Sequence, residues 1–133
     1  MKKFLATLGA TGALLAGTLA FAAPAEAASN PYTPKGVCGS SYREIDRLTL
    51  GSSDVVLMYN GSYNCVVTIK NEQVGKATET FARLRVKGGG SHEDRGKFKY
   101  YAKTKAYAKG KCIQWGGGIT NIAYYTTPYT HCG

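Results

Sequence analysis

The sequence has 133 residues, a formal charge of +9, 44% hydrophobic residues and four cysteines. That length suits one domain with a real but modest core, which disulfides would help to hold. Beyond residue 27 no apolar run is long enough to span a bilayer, so the body of the chain is not read as a membrane protein.

The first segment reads as an export signal. Lys2 and Lys3 precede a run, Phe4 to Phe21, that is apolar or small throughout. Ala25-Glu26-Ala27 then fits the small-x-small cleavage rule, leaving Ala28 as the first mature residue. Residues 1–27 carry two lysines and one glutamate, so their loss leaves a charge of +8. The expected organisation is a signal peptide over 1–27, an extended lead-in over 28–37 and a disulfide-stapled β domain over 38–133.

The lead-in, with Pro31 and Pro34, is expected to be extended and poorly ordered until Cys38 pins it. Tyr42 to Leu50 mixes polar and apolar residues on both parities, as an edge strand or irregular segment does. Val55-Val56-Leu57-Met58-Tyr59 is a strand apolar on both faces, Asn60-Gly61 signals a hairpin, and Cys65 to Lys70 is its return. These two should be central in the sheet. After a polar loop at Asn71–Lys76, Thr78 to Lys87 alternates: Ala82, Leu84 and Val86 face one way, and Phe81, Arg83, Arg85 and Lys87 the other. Gly88 to Gly96 is expected to be a loop. Gly116-Gly117-Gly118 is expected to be a flexible hairpin end before a last strand from Ile119 to Thr126.

Between that loop and Trp115 lies the most patterned stretch. Odd positions carry Lys97, Lys99, Tyr101, Lys103, Lys105, Tyr107, Lys109 and Lys111; even positions carry Phe98, Tyr100, Ala102, Thr104, Ala106 and Ala108. Period two places these on opposite faces of a strand, one packed and one cationic. A single straight strand is excluded, since Lys97 to Lys109 would extend roughly 43 Å against a domain diameter near 35 Å. The apolar parity also changes by Ile113 and Trp115. A break is therefore expected, with Gly110 the best candidate and a second near Lys103. If this ribbon paired with the 81–87 strand, Arg83 and Arg85 would join its lysines in one patch suited to a polyanion.

Four cysteines in an exported chain point to two disulfides. Zinc is disfavoured because no two cysteines lie within four residues of each other. Of the three possible pairings, Cys38–Cys65 and Cys112–Cys132 are expected, because they close short loops within adjacent elements. No helical periodicity follows the leader, and turn signals recur every 8–14 residues or so. The expected class is all-β: a small single-domain antiparallel sandwich or barrel with two disulfides.

Candidate chemistry is sparse. His92, Glu93 and Arg95 have the residue types of a ribonuclease site, with Glu93 as base, His92 as acid and Arg95 on phosphate. Near neighbours on an extended chain tend to point apart, so they are expected to be non-catalytic. No Gly-x-Ser-x-Gly elbow, phosphate loop or metal-ligand spacing is present, and His92 and His131 are too isolated to suggest one. No catalytic residue, cofactor or metal is assigned. Asn60-Gly61-Ser62 matches a glycosylation acceptor, but the turn accounts for the same residues.

Several blocks together resemble the spore-associated protein A family of streptomycetes and their actinobacterial relatives. They are Val37-Cys38-Gly39-Ser40-Ser41-Tyr42, Val55 to Asn60, Asn64-Cys65-Val66-Val67-Thr68, Phe98-Lys99-Tyr100-Tyr101-Ala102, Gly110 to Gly117, and the closing Cys132-Gly133. Relatives often carry Gly-Pro where this chain has Lys103-Thr104, which makes its surface more basic there. The resemblance implies export and association with the spore or aerial-cell surface, and it supplies no catalytic residue. The expectation is a secreted, non-enzymatic protein whose basic face attaches to anionic cell-wall or spore-surface polymers, with no specific nucleic acid as partner and an oligomeric state left open. A small secreted nuclease and, further off, a secreted protease inhibitor are the alternatives.

Overall fold

A computed structural model describes residues 28–133; the expected signal peptide lies outside the described residues. Two four-stranded antiparallel sheets pack as a sandwich. After a one-turn helix α1 (Pro34–Cys38) come β1 (Arg43–Thr49), β2 (Ser53–Tyr59), β3 (Tyr63–Lys70) and β4 (Thr78–Val86). They are followed by β5 (Ser91–Phe98), β6 (Tyr101–Tyr107), β7 (Ile113–Ile119) and β8 (Ala123–Thr126). One sheet has the order β1-β2-β3-β6 and the other β5-β4-β7-β8. β2 and β3 are the interior strands of the first sheet, joined at Asn60-Gly61, with Gly61 at φ 103°.

The main core lies between the sheets. Val55, Leu57, Val66, Ala102 and Ala106 of the first sheet meet Ala82, Leu84, Val86, Ile113 and Trp115 of the second. A second apolar layer covers the outer face of the first sheet. There Val56, Met58, Cys65, Val67 and Ile69, with Tyr101 beside them on β6, pack beneath Val37, Cys38 and Tyr42. Because both faces of β2 and β3 are covered, both strands read as continuous apolar runs.

The lead-in that forms this cover is more ordered than its prolines suggest. Thr33 caps α1, its Oγ1 accepting from Gly36 N at 3.0 Å, and Pro34 occupies the first turn, where its missing N–H costs nothing. Asn30 Nδ2 donates to the carbonyls of Lys70 and Tyr100, fastening the segment to the sandwich rim. Residues 34–37 are therefore helical, which corrects the extended lead-in expected over 28–37. The bridges join Cys38 to Cys65 and Cys112 to Cys132.

Four further expectations change. Residues 91–96 belong to strand β5 rather than to a loop, because Ser91, Glu93 and Arg95 lie opposite Arg85, Arg83 and Phe81 of β4. The glycines 116–118 lie inside β7 rather than at a hairpin end, and the last expected strand is two strands with a turn at Thr120–Ile122. The alternating ribbon breaks at Lys99–Tyr100, where the chain leaves one sheet for the other; β6 runs unbroken through Lys103. The later break does fall at Gly110, which takes φ 72°.

Candidate functional site: a lysine stripe along one side of the sandwich

β5 and β6 are rim strands of opposite sheets, joined at one corner. Through that corner the even positions keep facing the core: Phe98 packs against it, and Ala102, Ala106 and Ala108 are buried within it. The odd positions therefore face outward on both sheets. Lys97 lies on the outside of the second sheet, while Tyr101, Lys103, Lys105 and Tyr107 lie on the outside of the first. Lys99 sits at the corner between them, and Lys109 and Lys111 lie in the β6–β7 turn at the far end. The lysines thus follow the β5–β6 side from one end of the sandwich to the other, a length set mainly by the seven residues of β6, about 23 Å.

Arg83 and Arg85 share the outer face of the second sheet with Lys97 but stand on β4, inward of the rim, and Arg83 is paired with Glu93 at 2.9 Å. Glu93 also pairs with Arg95 at 2.5 Å, and Arg95 with Glu79 at 3.2 Å. The chain Glu79–Arg95–Glu93–Arg83 links β5 to β4, and both guanidinium groups lie over the Phe81 ring, at 4.2 and 5.2 Å from its centre. Partial burial of the Glu93 carboxyl favours its neutral form, but hydrogen bonds from Arg95 and Arg83 outweigh this and hold its pKa below the usual range. Arg85 donates to Gln114 Oε1 at 3.1 Å.

The acids are distributed selectively. Glu44 and Asp54 pair with Arg47, Asp46 with His131, and Glu79 and Glu93 with Arg95 and Arg83. Among the described residues no lysine makes an ion pair. The arginine charge on β4 and β5 is largely met, whereas the lysines of the stripe meet no carboxylate.

Midway along the stripe is a groove of about 390 Å³ lined by Tyr32, Tyr100, Tyr101, Lys99, Lys103 and Asp94, with Phe98 below. The Tyr32 ring is 5.5 Å from that of Tyr100 and 4.9 Å from that of Tyr101. Asp94 Oδ2 accepts from Lys103 N at 3.0 Å and so ties β6 to β5. Tyr107 stands 5.6 Å from Tyr63, edge to face, rather than beside Tyr101. Sequence reasoning missed Tyr32, because a residue between two prolines gave no sign that Asn30 would anchor it on this side.

The residues considered for nuclease chemistry do not converge. Glu93 and Arg95 face outward and bind each other, while His92 and Asp94 take the opposite parity on β5. Among the described residues no group of three or more His, Cys, Asp or Glu is placed to hold a metal ion, and no helix is long and apolar enough to cross a membrane.

Fold and surface together define a small two-disulfide β-sandwich with one lysine-rich side. The chain is 40% identical over 124 residues to spore-associated protein A of Streptomyces coelicolor, covering 88% of this chain and 80% of that one. It belongs to the spore-associated protein A family. No protein-family model matches it. A crystal structure of a bromine derivative of BhCBM56 superposes with a TM-score of 0.43 at 13% identity, covering 65% of this chain and 96% of that one, a likeness too slight to bear on function.

Proposed function

We propose that this protein is exported and works, without catalysis, as a spore- or envelope-surface protein held to anionic surface polymers by its lysine stripe. The observation that carries this reading is the selective pairing of charge: every ion pair among the described residues joins an acid to an arginine or a histidine, Asp94 in the groove bonds only the backbone of Lys103, and the lysines of β5, β6 and the β6–β7 turn make no ion pair. An unmatched row of cations on one side attracts a polyanion additively, and salt screens the attraction over about 8 Å at physiological strength. Two disulfides suit an oxidising, extracellular setting, and the name of the Streptomyces coelicolor relative supports spore association.

The test is retention on isolated spore walls and on heparin. Lys97, Lys99, Lys103 and Lys105 replaced together by Gln should lower the eluting salt while leaving the circular dichroism unchanged. Arg83→Gln should shift elution less than any one of these lysines, because Glu93 already meets the Arg83 charge. Equal elution of the quadruple variant and the wild type would leave the lysines only a solubilising role.

A further inference from the structure

Four strands form the rims of the two sheets: β1 and β6 in one, β5 and β8 in the other. Rim strands are kept from pairing with other chains by charge, bulges or a cover. β1 carries Arg43, Glu44, Asp46 and Arg47 and has a register shift between Glu44 and Asp46. β5 carries Glu93, Asp94, Arg95 and Lys97, and β6 carries Lys103 and Lys105. β8 has no charge, and none occurs anywhere from Cys112 to Thr130 in a chain whose formal charge is +9. It is also apolar at its surface: Tyr124 is 60% exposed and Tyr125 49%, with Ile122 exposed just before them.

The hydrogen-bond parity of β8 is fixed by β7. Thr127 N donates to Trp115 O at 2.8 Å, in the same register that sets Tyr125 opposite Gly117. Bonded and non-bonded pairs alternate along an antiparallel ladder, so Ala123, Tyr125 and Thr127 direct their backbone groups at β7. Tyr124 and Thr126 therefore turn their N–H and C=O outward, and no described residue bonds them there.

We propose that the β8 rim seats a second copy of this chain, paired antiparallel about a two-fold axis at Tyr125. In that register Tyr124 of each copy opposes Thr126 of the other in a bonded pair, so four backbone hydrogen bonds form. The two Tyr125 side chains meet in the non-bonded pair between them, where Cβ atoms lie about 4.5–5.5 Å apart. The rim is self-complementary, as a two-fold contact requires, and it is the uncharged approach by which two strongly positive copies can meet. Four residues a side bury well under the ~1,200 Å² of a stable interface. The dimer is accordingly weak in solution and favoured where copies are concentrated, as on a surface. This pairing does not depend on attachment through lysines and has the opposite salt response. Salt screens repulsion between the copies and strengthens pairing, whereas it weakens attachment.

Sedimentation velocity of the extracellular protein across concentration and salt tests this. The expected result is a monomer–dimer equilibrium whose dimer share rises with both. Tyr125→Lys places like charges across the axis and should raise the dimer Kd on the order of tenfold, as should Tyr125→Glu. An equimolar mixture of these two variants should dimerise again at low salt. Thr126→Pro removes an outward N–H and should abolish pairing by a different route, which keeps the test decisive if a Tyr125 variant fails to fold. A wild type that stays monomeric at high concentration and high salt would overturn the proposal. So would a dimer that Tyr125→Lys and Thr126→Pro leave intact.

Discussion

Lys70 ends the apolar run of β3 and is fully buried, yet it faces no carboxylate. Its Nζ donates to Lys76 O at 2.6 Å, Thr78 Oγ1 at 2.7 Å and Phe98 O at 3.0 Å, so all three N–H groups of the ammonium are met by neutral oxygens. Burial lowers its pKa below the ordinary 10.5. Between the lowered folded value and 10.5 the unfolded chain binds more protons than the folded one, so this group makes stability rise as pH increases through that window. Lys70→Met keeps the length but leaves three acceptors without a donor, at a cost of about 1–3 kcal/mol near neutral pH. Urea midpoints of wild type and variant should therefore differ least near neutrality and move further apart as pH climbs towards 10.5. A gap that is constant with pH would show that the lysine charge is not disfavoured by folding. None of this was legible in the sequence. A lysine closing a strand reads as an exposed end, and its spacing does not show that three separate segments converge on it.

At the scale of elements, the alternation of odd and even residues from Lys97 to Ala108 was legible because it depends only on which side faces the core. The sheet change at Lys99–Tyr100 was not, because no glycine or proline marks it. That corner is held by distant donors: Gly75 N bonds Lys99 O, and both Lys70 N and Asn30 Nδ2 bond Tyr100 O. The glycines of β7 misled for the opposite reason. They suggest a flexible turn, whereas they serve close approach. Thr68 Oγ1 of the first sheet donates to Phe81 O of the second at 2.7 Å, and Gly117 lies beneath that bond. A Cβ on Gly117 would stand 2.5 Å from Phe81 O and closer still to Thr68 Oγ1. Both are held in strands, so Gly117→Ala must part the sheets locally. We expect a loss of about 3 kcal/mol, read as a lower denaturant midpoint with the slope unchanged. A variant as stable as wild type would mean that the sheets are not in register-locked contact there.

Across the whole molecule the two bridges fasten different layers. Cys38–Cys65 pins the lead-in over the outer face of the first sheet, and both cysteines are buried, at 2% and 0% exposure. Cys112–Cys132 ties the tail to the β6–β7 turn, and Cys132 is exposed. The all-β class was legible from strand spacing and turn residues. That one apolar layer sits outside the sandwich was not, since runs such as Val55–Met58 show that both faces are covered without showing what covers them. This layering predicts an order of disassembly. Thiol–disulfide exchange needs access to a sulfur, so a mild thiol under native conditions should open Cys112–Cys132 first. Neither of those cysteines belongs to the core between the sheets, so the sandwich should survive, with alkylation and peptide mapping placing labels on Cys112 and Cys132 alone. Cys38–Cys65 should open only with the removal of its cover. With a sequence separation of 27 its loss should cost about 3–4 kcal/mol in the loop-entropy model, and it should expose Val56, Met58, Val67 and Ile69 to a hydrophobic dye. Simultaneous labelling of all four cysteines, with no two-thiol species at any thiol concentration, would show that the layers do not come apart separately.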